Sequence, residues 1–161
     1  MDRVIVYIDG FNLYYGLKEA GFRKSYWLNV FGVAQEIGGT GRSLHAAKYF
    51  TARIGGAQPS DSPSQMKERN GKRARQTTYL EALTTLPGLS IFYGTYLAKS
   101  TTCFGCRRTY LHQEEKMTDV NIATEMLTDA FQDKFDVAML ISADSDLVPP
   151  SRTIRSLFPS K

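Results

Sequence analysis

Two short apolar runs that each lead to acidic residues place the strongest constraint on the fold. The first run covers residues 3–9 and ends at Asp9, and the second covers residues 136–142 and leads to Asp144 and Asp146. Neither run alternates between apolar and polar residues, which is typical of parallel strands buried on both faces. The sequence therefore predicts two buried strands that deliver carboxylates to one edge of a parallel sheet.

Strand and helix patterns alternate between these two runs. Residues 46–54 and 89–97 have the aromatic and β-branched composition of strands, and helical patterns cover residues 10–20, 65–86 and 117–131. In the last helix we expect one face to pack on the sheet, formed by Val120, Ala123, Leu127, Ala130 and Phe131. The alternation predicts an α/β fold, a three-layer α/β/α sandwich with a parallel sheet, as a single domain over residues 1–161.

Composition narrows the class of protein. A content of 42% hydrophobic and 22% charged residues is that of a globular domain and excludes a disordered or fibrous chain. No apolar run has the length of a membrane span, and the start Met1-Asp2-Arg3 lacks the features of a signal peptide. With two cysteines, this predicts a cytoplasmic protein, and a net charge of +4 is compatible with an anionic partner.

Four aspartates form the candidate site: Asp9, Asp119, Asp144 and Asp146. Hard divalent cations such as Mg²⁺ and Mn²⁺ prefer carboxylate oxygens, and a pair of such ions activates water against a phosphodiester. Each aspartate alone also has a structural interpretation, as a turn former, a helix cap or a partner of a helix dipole. Two apolar runs that both lead to acids favour the metal site over these separate explanations.

Three blocks of sequence resemble, in order, the motifs of NYN-domain proteins, and most of all their bacterial LabA-like branch. The blocks are residues 6–13 (VYIDGFNL), 115–123 (EKMTDVNIA) and 141–147 (ISADSDL). The resemblance implies a PIN-like, Rossmann-like fold and a metal-dependent ribonuclease that acts on RNA. It also implies that Asp9, Asp119, Asp144 and Asp146 are the catalytic, metal-binding acids.

The same resemblance implies supporting roles for four polar residues. Asn12 would orient a water or a phosphate, Lys116 would neutralise phosphate charge, and Ser142 and Ser145 would hydrogen-bond the ligating carboxylates. For Lys116 and the two serines a purely structural role is an equal alternative, since short polar residues commonly cap and turn. The resemblance further implies a strand after the last helix, so we expect a C-terminally truncated domain whose sheet lacks an edge strand.

The basic residues within the predicted helix at 65–86 have two interpretations. Arg69, Lys72 and Arg73, together with Gln76, share one helical face within residues 65–86. This face would either track an RNA backbone or simply face solvent. Tyr14, Tyr15 and Trp27 could stack on bases, but their spacing favours core positions.

Cys103 and Cys106 have the spacing of a zinc knuckle, with His112 close downstream. A structural zinc site needs four ligands, so these residues supply half of one and a homodimer could complete it. A redox dithiol and two plain loop thiols are the alternatives.

Two functions remain open after one rival is excluded. A haloacid-dehalogenase-like phosphatase would need an aspartate nucleophile where this chain has Tyr7. The metal-dependent ribonuclease is the main hypothesis, and deoxyribonuclease activity stays open because metal-held phosphodiesters need no 2′-hydroxyl. The alternative is a catalytically weak domain that binds RNA or a protein and acts as a regulatory module.

Overall fold

Five strands and five α-helices alternate along most of the chain in a computed structural model. The structure describes residues 1–39, 41–59 and 61–161, apart from the side chains of residue 98 and residues 110–114. The strands are β1 (Asp2–Asp9), β2 (Arg42–Ala52), β3 (Leu89–Thr102), β4 (Thr109–Lys116) and β5 (Val137–Ile141). The helices are α1 (Gly10–Glu19), α2 (Val30–Gly38), α3 (Pro63–Thr84), α4 (Thr118–Phe131) and α5 (Val148–Leu157), and two 3-10 helices cover Arg23–Trp27 and Ser145–Leu147.

The strands form one sheet in the order β4-β3-β2-β1-β5. Strand β1 pairs in parallel with both β2 and β5, and β3 pairs in parallel with β2. The predicted α/β fold with a parallel sheet is therefore confirmed for four strands. Strand β4 was not predicted and runs antiparallel to β3 at the far edge. The opposite edge is β5, and the further strand implied by the family resemblance stays a prediction.

Apolar side chains of β1 fill both faces of the sheet, which produces the three layers. On one face Val4, Val6 and Ile8 pack with residues of α2 and α3, such as Ala34 and Leu80. The residues between them, Ile5 and Tyr7, belong to the second core with α4 and α5. Burial on both faces explains why the β1 sequence is a continuous apolar run rather than an alternating one.

The predicted packing face of α4 is wrong at two of its five positions. Val120 and Phe131 are 64% and 68% exposed. The helix buries Ala130 as predicted, but with Ile122 and Met126, and the spacing of four residues forms a single stripe against the sheet. Leu127 packs at the margin of this stripe, so the true face is rotated from the predicted one.

A buried ion-pair network explains that rotation. Lys48 of β2 reaches Asp129 of α4 at 2.5 Å and Glu125 at 2.6 Å, and the Tyr7 hydroxyl donates to Asp129 at 2.7 Å. Asp129 is fully buried. Burial alone raises the pKa of this carboxyl, but hydrogen bonds from Lys48, Tyr7 and Lys134 hold it below its usual range. A charged residue that the predicted apolar face does not include thus lies on the buried side of α4.

Within the described ranges, no helix combines the length and the apolar character that crossing a bilayer demands.

Candidate active site

The acid-bearing ends of β1 and β5 lie side by side. From β1 the chain adds β2, β3 and β4 on one side of the sheet and then returns to add β5 on the other side of β1. The strand order therefore reverses between β1 and β5. Ligands of open α/β sheets bind at such a switch point, beyond the carboxyl ends of the strands. Asp9 ends β1, and the turn at residues 142–146 follows β5 directly. The predicted neighbourhood of these two strands is confirmed.

Asp9 is held by three hydrogen bonds in a buried position. Its Oδ1 accepts from the backbone N of Asn12 at 3.0 Å, which caps α1. Its Oδ2 accepts from Nδ2 of Asn12 at 2.6 Å and from Oγ of Ser142 at 2.9 Å. Because both oxygens are engaged, the carboxylate has one fixed orientation. Asn12 positions Asp9 in this way, and its contact with a water or phosphate stays a prediction.

Gly10 allows α1 to begin directly after Asp9. A Cβ at this position would lie 2.5 Å from the Tyr49 ring and 2.8 Å from the carbonyl oxygen of Phe50. Both distances are well inside van der Waals contact, so only glycine lets the helix start against β2. The position of Asp9 therefore depends on its glycine neighbour as well as on its hydrogen bonds.

The turn after β5 is ordered by its own side chains. Ser142 Oγ accepts from the Asp144 backbone N at 3.0 Å, and Asp144 Oδ1 accepts from the Asp146 backbone N at 2.9 Å. The second oxygen of Asp144 accepts no hydrogen bond from the described residues. Ser142 hydrogen-bonds the carboxylate of Asp9, as expected. Ser145 is exposed, and its side chain forms no hydrogen bond with the described residues.

Asp119 lies in the first turn of α4, close to the other three aspartates. Met117, with φ of +79°, turns the chain from β4 into this helix. Burial raises the pKa of Asp119, and the charges of Asp144, Asp9 and Asp146 raise it further. These four acids therefore share one negative electrostatic environment.

Glu115 is a fifth acid of this environment that the sequence did not single out. Burial raises the pKa of Glu115 most; a hydrogen bond from Thr118 opposes that shift, and the charges of Asp9 and Asp119 add to it. Thr118 Oγ1 donates that hydrogen bond to the Glu115 carboxylate. The signal was present as the first residue of the second motif block, but β4 carries no apolar run to mark it as a strand end.

The chemistry of the five acids suits a hard cation, but the described side chains do not form a preassembled set of metal ligands. All five offer carboxylate oxygens, which Mg²⁺ and Mn²⁺ prefer. Among the described residues, none of the four aspartates pairs with a lysine or arginine. In the same part of the chain, no group of three histidine, cysteine or acidic residues has the geometry to hold a metal ion. The four aspartates therefore carry negative charge that no ion pair within the described residues offsets.

Comparison with known protein families identifies the family of the chain. The model of the NYN domain matches residues 3–157, which is nearly the whole chain. The chain belongs to the NYN domain family. No curated protein and no solved structure matches it. NYN domains are PIN-like and generally nuclease-like, while membership of the LabA-like branch stays a prediction.

The basic helix of this NYN domain divides the three predicted RNA-binding residues. Arg69 and Lys72 line a cleft of about 520 Å³ between α1 and α3. Arg73 does not line it and lies beside Gly56 instead. Arg75, which was not chosen, lines the cleft.

Three aromatic residues predicted to be core are exposed in the NYN domain. Tyr14, Tyr15 and Trp27 are 42%, 50% and 54% exposed, and all three line the cleft beside α3. The preference for core positions is therefore wrong, because all three rings lie on the wall of the cleft and not in a packed core.

Lys116 ends β4 with an exposed side chain, and its role toward phosphate stays a prediction. Its backbone carbonyl packs against Gly94, where a Cβ would lie 2.6 Å from that oxygen and 2.7 Å from Thr118 Oγ1. Gly94 thus permits the close approach of β3 to the start of α4.

The two cysteines lie in the turn between β3 and β4. Both are free thiols, with Cys103 half-buried and Cys106 exposed. Hydrogen bonds from the backbone of Cys106 and Gly105 lower the pKa of Cys103. The side chain of His112 lies outside the described residues, so a zinc site at this turn stays a prediction.

Proposed function

We propose that this NYN domain is a divalent-metal-dependent ribonuclease that hydrolyses RNA phosphodiester bonds. The observation that carries the proposal is the shared negative environment of Asp9, Asp119, Asp144 and Asp146 at the switch point of the sheet. Mutual repulsion of carboxylates is costly unless a cation offsets it. The family relationship to PIN-like nucleases supports the same conclusion.

The four aspartates are the proposed ligands of Mg²⁺ or Mn²⁺. Such ions, when bound, activate a water for attack on phosphorus and stabilise the charge on the leaving oxygen. Asp144 suits this role because one of its oxygens is used within the turn while the other accepts no hydrogen bond in the described part of the chain. Glu115 is added to the proposed site because its pKa responds to both Asp9 and Asp119.

Polar residues around the acids hold the end of β1 and the turn after β5 in a fixed relative position. Asn12 and Ser142 fix the Asp9 carboxylate, and the Ala143 backbone N donates to Oδ1 of Asn12 at 3.4 Å. The same two side chains therefore tie the end of β1 to the turn after β5. Groups that orient ligating carboxylates in this way are as important to metal sites as the ligands.

A cleavage assay tests the proposal. Purified protein is incubated with single-stranded and structured RNA in Mn²⁺, in Mg²⁺ or in EDTA, beside Asp144→Asn. Asp2→Asn is the matched control, because it removes the same charge from the opposite end of β1, where Asp2 pairs with Arg42. We expect cleavage by the wild type and by Asp2→Asn only when metal is present. Equal cleavage by Asp144→Asn, or cleavage in EDTA, refutes the metal mechanism.

A catalytically weak RNA-binding module is the second candidate. It is favoured by one observation, that the described residues form no ready-made cluster of three metal ligands. Such a module would bind RNA with unchanged affinity in EDTA and would leave the RNA intact in Mn²⁺. The same assay, read together with a binding measurement, separates the two functions.

A further inference from the structure

Aromatic and basic side chains line the cleft next to the acids. The cleft opens between α1, the 3-10 helix at Arg23–Trp27 and α3. Its aromatic residues include Tyr14, Tyr15, Tyr26, Trp27, Tyr49 and Tyr79. Its charged residues are Lys18, Arg69, Lys72 and Arg75, with Glu68 as the acid among them. Grooves that bind single-stranded nucleic acid combine these two kinds of side chain.

The floor of the cleft is formed by aromatic rings that pack against one another. Tyr49 is 5% exposed and contacts Tyr79 edge-on, with ring centroids 6.4 Å apart. The Tyr79 hydroxyl donates to the Leu28 carbonyl at 2.8 Å, and burial raises the pKa of this phenol to about 12. Trp27 packs edge-on against Tyr79 at 6.0 Å and keeps more than half of its surface exposed. The indole is therefore held in place while it remains available to a ligand.

A second aromatic group forms the wall contributed by α1. Tyr14 contacts Tyr15 with centroids 5.3 Å apart and Tyr26 with centroids 5.2 Å apart. Tyr14 and Tyr15 are about half exposed despite these contacts. Single exposed apolar residues are normal on a protein surface and need no explanation. Several exposed rings gathered in one groove indicate a binding surface.

The positive charge of the cleft is only partly neutralised. Lys72 pairs with Glu68 at 2.6 Å, and Arg69 pairs with Asp61 at 3.1 Å. Arg75 and Lys18 form no ion pair with an acid of the described residues. Because no carboxylate of the described residues holds either side chain in an ion pair, both can turn their charge toward an anionic ligand.

The cleft adjoins the proposed cleavage site. Gly10, which lines the cleft, directly follows Asp9. Tyr96 lines it from β3 and lies opposite Glu115 in the β3–β4 register. The cleft therefore adjoins the acids at two places, the end of β1 and the β3–β4 pair.

We propose that this cleft binds single-stranded RNA, with Trp27, Tyr14 and Tyr15 stacking on unpaired bases and with Arg75 and Lys18 contacting phosphates. The proposal rests on the proposed function, because it names where the substrate strand lies relative to the acids. A double helix does not offer its base faces, so the cleft selects unpaired strands.

Intrinsic fluorescence tests the proposal at one residue, because Trp27 is the single tryptophan of the chain. The full chain is titrated in EDTA, where the proposed cleavage cannot proceed, with an oligouridylate, an RNA duplex and a polyglutamate peptide of equal charge. We expect quenching of Trp27 by the oligouridylate alone. Equal quenching by the peptide would overturn the proposal, because it would indicate an acidic protein partner. Duplex RNA that quenches as strongly would also contradict it.

Two matched arginines of α3 test the phosphate contacts. Arg75→Ala should weaken binding of the oligouridylate several-fold and lower the salt slope by about 0.7, the value for one phosphate contact on a single strand. Arg73→Ala makes the same change two positions away, outside the cleft, and should leave both quantities unaltered. Equal effects of the two variants would show that RNA responds to the overall charge of α3 and not to the cleft, which would overturn the proposal.

Stacking is tested by Trp27 variants with binding read by anisotropy of a labelled oligouridylate. Trp27→Ala should weaken binding roughly tenfold, and Trp27→Phe should recover most of the loss. Both variants are first checked by thermal unfolding, because Trp27 packs on Tyr79. Unchanged binding by a folded Trp27→Ala protein would refute stacking in the cleft.

Failure of the two proposals looks different. A protein that binds as described in EDTA but leaves RNA intact in Mn²⁺ refutes only the ribonuclease. A protein that cleaves in Mn²⁺ at the same rate after Arg75→Ala and Trp27→Ala refutes only the cleft.

Discussion

Ser142 donates a hydrogen bond of 2.9 Å to Oδ2 of Asp9, although 133 positions separate the two residues in the sequence. The serine also accepts from the Asp144 backbone at 3.0 Å. One hydroxyl therefore connects the acid at the end of β1 with the acid-bearing turn after β5. This contact makes the relative position of Asp9 and Asp144 a property of the sheet rather than of flexible loops.

Replacing Ser142 by alanine should weaken the site more than the fold. Loss of a group that orients a metal-binding carboxylate typically costs about 10–100-fold in metal affinity or activity. The expected stability loss is about 1 kcal/mol, the usual value for one hydrogen bond. Mn²⁺ titration and thermal unfolding measure the two effects. Ser145→Ala is the control, since the Ser145 side chain is exposed, and a loss as large as that of Ser142→Ala would contradict the orienting role.

Two glycines of α1 should respond in opposite directions to alanine. Gly10→Ala places a methyl group 2.5 Å from the Tyr49 ring, so we expect a loss of about 1–3 kcal/mol in the free energy of unfolding. Gly16 has no atom within 4 Å of an added Cβ, so Gly16→Ala should raise stability by about 0.5–1 kcal/mol. Denaturant unfolding compares them. A neutral Gly10→Ala would show that α1 does not begin against β2 as described.

Asp119→Asn should stabilise the metal-free protein at neutral pH. Burial and three neighbouring aspartates raise the pKa of Asp119, so its ionised form is disfavoured in the folded state. The stability linked to this group is fully present below its unfolded pKa and is lost as pH rises through its folded pKa. The gain from Asp119→Asn is therefore expected at pH 7 and should disappear as pH falls below about 4, the ordinary pKa of an aspartate.

Thermal unfolding in EDTA across this pH range measures the effect. Asp2→Asn, at the opposite end of β1, should give no such pH-dependent gain. A destabilised Asp119→Asn protein at pH 7 would show that the acids do not repel one another.

Lys48→Met should strongly destabilise the protein, because it removes a lysine that pairs with the buried Asp129. Breaking one side of a buried ion pair costs about 3–5 kcal/mol. Tyr7 and Lys134 continue to bond Asp129, so we expect a loss of about 3 kcal/mol, at the lower end. Chemical denaturation measures the loss. Lys67→Met on the exposed surface of α3 is the control, and equal stability of the two variants would contradict the network.

The sequence predicted the parts of the fold that depend on burial on both faces of the sheet. The runs that became β1 and β5 were found with nearly their true bounds, since no solvent-facing residue interrupts them. Helix α2 and strand β4 were missed. Strand β4 lies at a sheet edge, and its polar sequence carries no apolar signal.

Side-chain environments were harder to predict than elements. The rotation of α4 depends on Lys48 and Asp129, which lie 81 positions apart and whose pairing no local pattern reveals. The sequence favours core positions for Tyr14, Tyr15 and Trp27, because residue type alone does not distinguish an aromatic groove wall from a packed core. Glu115 joins the acids only through the turn at Met117, whose left-handed conformation is unusual for a non-glycine residue.

The central claim is that the aspartates at the ends of β1 and β5 hold a divalent cation. Anomalous diffraction from crystals grown with Mn²⁺ tests it most directly. We expect a manganese peak in contact with carboxylate oxygens of Asp9 and Asp144, and we expect no such peak in Asp144→Asn crystals grown in the same way. Well-ordered carboxylates with no manganese between them in the wild type, or a peak that persists in Asp144→Asn, would contradict it.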